Sequence, residues 1–174
     1  MNFQQFLESK RACEAAQEWA QDKTIQEAID QCHRGDWLLW LTERLGVDER
    51  LIIGAEGHCA NTVRHLMQDE RSRNCVDVKI KYGKNEVTKQ ELVSAWVAAK
   101  AAARAAYRAF DAVAAADEAA ARAADADADA AAAWAARAAD AAEAFSKNQH
   151  QTADICREHL KEAIIKKWNQ IQTS

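Results

Sequence analysis

Apolar positions recur at helical spacing along most of this chain, and where the spacing lapses a capping residue or a glycine stands in its place. Helix starts are signalled by Ser9 ahead of "KRACEAAQEWA" and by the capping box Thr24-x-x-Glu27. Asp36 ahead of "WLLWLTERLG" and Asp48 ahead of "ERLIIGAEGHCANTVRHLM" signal two more. Gly35 and Gly46 sit where helix C-caps are expected, so Arg34-Gly35-Asp36 reads as a C-cap glycine followed by an N-cap aspartate. Trp37, Leu38, Leu39, Trp40 and Leu41 leave almost no polar face, which places their helix at the centre of a core. "VDVKIKYG" (Val76 to Gly83) alternates at the period of a strand, yet Val76 and Ile80 also share a helical face. A lone strand would have no partner in this chain, so helix is the expectation.

After Gly83 the chain has no glycine and, as throughout, no proline. A second capping box, Thr88-x-x-Glu91, opens a run that as one helix to Lys147 would be about 90 Å long. A domain of this size has a radius of gyration of only about 16 Å, so the run is expected to fold back. Trp96, Ala99, Ala103, Ala106, Phe110 and Val113 form one apolar stripe, and Trp134, Ala138, Ala141 and Phe145 a second. Continued inward, both stripes run into aspartate, which places the reversal between Asp117 and Asp129. Alanine lets the two backbones approach closely, so contacts spread along a seam replace deep burial. A turn at "SKNQHQ" (Ser146 to Gln151) and a Thr152 cap then precede a packing helix with Ile155, His159, Ala163 and Ile164 on one face, extended by Trp168 and Ile171. The expectation is a single all-α domain with three parts. Residues 1–86 form a bundle of short helices, 87–150 a long alanine-rich antiparallel helical hairpin, and 151–174 a C-terminal packing helix.

Composition narrows the function classes. With 49% apolar and 29% charged residues the 174-residue chain is globular in balance, and a formal charge of −4 argues against general nucleic-acid binding. No run approaches the roughly 20 apolar residues that span a bilayer, and "MNFQQFLESK" lacks a signal peptide's apolar region, so no membrane association and a cytoplasmic location are expected. Cys13, Cys32, Cys59, Cys75 and Cys156 are odd in number and widely spaced, which reads as reduced thiols. Neither they nor the nearby histidines have zinc-site spacing, so neither metal nor other cofactor is expected. His58, Cys59 and His65 supply the residue types of a nucleophile and base, but helix spacing puts the two histidines two turns apart, and no catalytic motif occurs elsewhere. The expectation is a non-enzyme.

Two charged groups stand out as candidate partner-binding sets. Asp117, Glu118, Asp125, Asp127 and Asp129, with Asp111 nearby, are answered locally only by Arg122, which makes the expected hairpin tip strongly acidic and suited to a basic partner. The alternative set is basic: Arg71, Arg73, Lys79 and Lys81, with Lys84 and Lys89 beyond. Solvated helix caps and a solvated surface are the plain readings of the two sets.

The stretches "ACEAAQEWA", "TIQEAIDQCHRGDWLLWLTERLGVD", "HCANTVRHL", the alanine-rich middle and "TADICREHL" together resemble the Imm-5-like family of bacterial immunity proteins. The resemblance runs over nearly the whole chain, and "RGDWLLWLTERLGVD" is its most specific part. Ser72 stands where the family pattern has a proline, and "VDVKIKYG" replaces a more plainly helical stretch. The resemblance implies a non-enzymatic cytoplasmic protein that binds and blocks a cognate toxin. Two other classes of function fit the same residues. One is a phage or mobile-element inhibitor of a host defence protein, and the other an oligomerisation module whose alanine seam pairs two chains as a homodimer.

Overall fold

Local capping chemistry sets most of the helix starts in the computed structural model, which describes residues 1–102, 104–105 and 128–173, with backbone alone for 128–142 and 145. The described residues are all-α: α1 (Phe3–Ser9), α2 (Glu14–Trp19), α3 (Ile25–Gln31), α4 (Gly35–Leu45), α5 (Glu49–Asn61), a 3-10 turn at Arg64–Leu66, α6 (Glu70–Gly83), α7 (89–102) and α8 (Ala128–Thr173). Thr24 and Glu27 close the expected box at α3, each side chain bonding the other's backbone N–H. Thr88 and Glu91 do the same at α7. Asp48 caps α5, and Gly46 ends α4 in the left-handed region at φ +69°. "VDVKIKYG" is helical, as part of α6, with Val76 and Tyr82 buried.

Several boundaries differ from expectation, each for a tertiary reason. Ser9 ends α1 instead of opening a helix, its hydroxyl bonding the Phe6 carbonyl. Gly35 is the first residue of α4 and not a C-cap, and Asp36 lies in the first turn in an ion pair with Arg34. What requires glycine there is contact: a Cβ on Gly35 would stand 2.5 Å from Thr152 Oγ1 and 2.8 Å from the Thr152 backbone. The expected turn at Ser146–Gln151 is absent, because α8 runs unbroken for 46 residues, about 69 Å. With no glycine or proline to stop it, Thr152 returns its hydroxyl to the Gln149 carbonyl, and Asn148 donates to Thr62 Oγ1.

The core is built around the C-terminal half of α8. Ala153, Cys156, Leu160, Ile164 and Trp168 are buried along one stripe, with α4, α5 and α3 packed against the helix. Phe3 and Phe6 of α1 meet Trp168 edge-on, at centroid distances of 5.8 and 5.5 Å. The stripe is rotated from the expected one: Ile155 lies at its margin and His159 is exposed, while Cys156 and Leu160 take the centre. Small side chains at Ala153 and Cys156 admit the approach of Gly35, which a larger residue would prevent. Arg157 fixes the same register by donating to the Ile29 and Cys32 carbonyls at the end of α3.

In α7 the buried positions are Leu92, Ala95 and Ala102, and Trp96 is 50% exposed under the Lys100 ammonium. The buried face of α7 is therefore rotated by one residue from the expected stripe. The rest of that stripe (Ala103, Ala106, Phe110, Val113), the side chains of the second stripe and the reversal between Asp117 and Asp129 lie outside the described residues.

Alpha-helices α5 and α6 pack through glycine. A Cβ on Gly83 would lie 2.7 Å from the Gly54 Cα, and one on Gly57 would lie 2.9 Å from the Ile80 backbone nitrogen. Gly57→Ala and Gly83→Ala should each lower stability in urea unfolding by about 1–3 kcal/mol, the usual cost of overpacking, although alanine is the better helix former by about 1 kcal/mol. Variants as stable as the wild type would show that the two helices do not meet at these glycines.

Candidate functional site

The two charged sets are placed very differently. Asp117, Glu118, Asp125 and Asp127 lie outside the described residues, and Asp129 is the second residue of α8. The basic set lies on α6, whose first turn is organised by Asp69: its side chain caps the helix by accepting from the Arg71 N–H and also binds the Arg71 guanidinium through both oxygens, at 3.0 and 2.7 Å. These bonds hold the Asp69 carboxyl at about 2. Arg73 pairs with Glu70 at 2.9 Å and reaches the Met67 and Gln68 carbonyls, tying down the 3-10 turn. Lys79 crosses to Glu56 of α5 at 2.6 Å, and Lys89 to Glu49 at 2.9 Å. Arg64 grips Asp77 with both guanidinium nitrogens and holds its carboxyl below the usual range.

The basic residues thus do not form a patch. At about 100° per residue, positions 71, 73, 79 and 81 point in four directions around the helix. Arg71, Arg73 and Lys79 are each neutralised by a carboxylate, and Lys81 is exposed on the side facing α7. Such an arrangement staples α5, α6 and the connecting turn together.

A second cluster, not anticipated as a unit, joins α5 to α8. The His58-Cys59 dipeptide of α5 faces Cys156 and His159 of α8: the two sulfurs are 3.8 Å apart, and the two imidazoles stack at 4.2 Å with planes 15° apart. Cys156 is fully buried and close to the Gly35 carbonyl, whereas Cys59 is half-buried. The hydrogen bond between them draws the Cys59 thiol down and, with burial, pushes the Cys156 thiol up. Burial, the largest influence on each, pushes the Cys32 and Cys75 thiols up, and all five thiols are free. His33 and His150 stack 5.5 Å apart where the α3–α4 link meets α8. Nothing in the sequence marks residues 97 positions apart as neighbours; the only trace is that Cys and His recur together on two helices.

His58 stacks on a histidine, with no base-to-thiol hydrogen bond, and His65 is exposed in the 3-10 turn. Among the described residues no three His, Cys, Asp or Glu side chains converge as metal ligands, and no helix is long and apolar enough to cross a membrane.

Burial first, then the positive charges of His159 and Lys84, lower the His58 pKa from its ordinary 6.5, with Glu158 opposing. The unfolded chain then binds a proton at His58 more readily than the folded one, so stability should be full above pH 6.5 and decline as pH falls below it. His58→Gln should flatten this decline in urea unfolding followed across the window. An unchanged slope would show that His58 titrates alike folded and unfolded.

No family model, curated protein or solved structure matches the chain.

Proposed function

We propose that this chain is a non-catalytic immunity protein, acting in the cytoplasm by binding a cognate bacterial toxin and covering its working surface. The observation that carries the proposal is the distribution of charge. Residues 111–129 hold a net charge of −5, more than the −4 of the whole chain, so the remainder is nearly neutral. Outside that segment, Arg71, Arg73 and Lys79 of α6 and Lys89 of α7 are held in ion pairs within the fold. The net charge of the sequence is therefore acidic and concentrated in residues 111–129, which matches a basic cleft such as a nuclease presents to phosphates. The resemblance of "RGDWLLWLTERLGVD" and its flanking segments to Imm-5-like proteins supports the same reading.

One observation favours the oligomerisation reading. Val93, Trp96 and Val97 are 43, 50 and 55% exposed on one face of α7, where a second copy could dock. A solution mass equal to one chain removes it.

Toxin neutralisation is tested by growth. Expressing the product of an adjacent gene should arrest a sensitive bacterium, and co-expressing this chain should restore growth; arrest that persists with every neighbouring product contradicts the proposal. With the partner in hand, replacing Asp117, Glu118, Asp125, Asp127 and Asp129 by Asn or Gln should slow association at least about tenfold, the scale of electrostatic steering. Neutralising Arg71, Arg73 and Lys81 should leave the rate nearly unchanged. The reverse pattern would move recognition to α6.

A further inference from the structure

The first three helices and α4 enclose a cleft of about 440 Å³ that neither the core nor the ion pairs account for. Half-buried Trp19, Trp37 and Trp40 line it, its floor is formed by buried Ala28, Leu38 and Leu41, and its mouth by exposed Arg11 and Asp36. Trp19 and Trp37 stand 5.9 Å apart with rings tilted at 55°. A volume in the few-hundred Å³ range, apolar walls and a few polar groups at one end are the features of a small-molecule site.

The polar end is specific. Arg34 and Asp36 also line the cleft, but they cancel each other through two short hydrogen bonds of 2.8 and 2.6 Å. Arg11 is different: it makes no ion pair among the described residues, which leaves one uncompensated cation at an apolar cleft.

Its backbone adds a second observation. Arg11 follows α1 in the left-handed region, at φ 58°. The Arg11 N–H bonds the Glu8 carbonyl and the Ala12 N–H bonds the Leu7 carbonyl, the pair of bonds that ends a helix at a position favouring glycine. An arginine there is strained relative to glycine, and strain of this kind gathers where a side chain is needed.

We propose that the cleft binds a small amphiphile with an apolar body and one terminal carboxylate, the body against Trp19, Trp37 and Trp40 and the carboxylate on the Arg11 guanidinium. A fork of N–H donors matches a carboxylate in two parallel hydrogen bonds. The site is independent of the toxin-binding reading, since none of its residues belongs to either charged set.

Calorimetric titration with octanoate and with 1-octanol, on the intact chain, tests the proposal. Octanoate should bind saturably at one per chain and at least about tenfold more tightly than octanol, the scale of a charge-assisted hydrogen bond. Arg11→Gly should weaken octanoate by a similar factor and leave octanol unaffected, while the melting temperature stays level or rises as the strained φ is relieved. Filling the cleft with Ala16→Phe should abolish binding of both. The proposal is overturned if octanoate does not saturate the wild type, if octanol binds as tightly, or if Arg11→Gly retains wild-type octanoate affinity. Because the first two outcomes need no variant, a misfolded substitution cannot shield it.

Discussion

One stripe on α8 organises the short-helix half of the chain. Helices α1 to α3 have six or seven residues each, too short to be stable alone, and in water helices of that length need tertiary partners. Ala153, Cys156, Leu160, Ile164 and Trp168 provide the partner surface, at spacings of three and four residues. Each large aliphatic side chain fully buried there contributes about 1.5–3 kcal/mol. The small ones contribute proximity instead: Gly35 against Thr152, with Cys156 beneath it, brings the start of α4 into backbone contact with α8. Arg157 adds hydrogen bonds to the otherwise open end of α3, and Lys161 pairs with Asp30 on the same helix.

Around that stripe, polar contacts are used to close the periphery. Arg64 with Asp77, Lys79 with Glu56 and Lys89 with Glu49 link α5, α6, α7 and the intervening turn. Exposed pairs of this kind contribute little stability each, about 0–1 kcal/mol. Their consequence for function is larger, because they absorb the basic side chains that would otherwise offer an anion-binding surface. By sequence the acidic excess lies in residues 111–129, and the binding role proposed above draws on that excess.

Features set by neighbours in sequence were legible in the sequence, and features set by neighbours in space were not. Thr24 with Glu27, Thr88 with Glu91, Asp48 and Gly46 announce helix ends because a cap needs only three or four adjacent residues. Gly35 and Thr152 carry the same local signals, yet they serve a close crossing of two helices, and a cap at Thr152 gives way to an unbroken α8. The α8 stripe was found one position out of register, since Ile155 and His159 fit the helical period about as well as Cys156 and Leu160 until the approach of Gly35 selects the small thiol. Of the candidate basic set, residue type was readable but pairing was not: Lys79 meets Glu56 across 23 residues. The tryptophan-lined cleft had no sequence signature either, being assembled from α1, α2, α3 and α4 with Arg11 placed by the turn after α1.

The central claim is that the α8 stripe holds the short helices in place, and Leu160, wholly buried at its middle, is where the claim is most exposed to test. Urea unfolding of Leu160→Ala, monitored by far-ultraviolet circular dichroism, should remain a single transition with stability reduced by about 2–5 kcal/mol, the range for truncating a leucine in a packed core. A reduction below about 1 kcal/mol, the level of a surface change, would mean that the short helices hold together without α8, and would contradict the account.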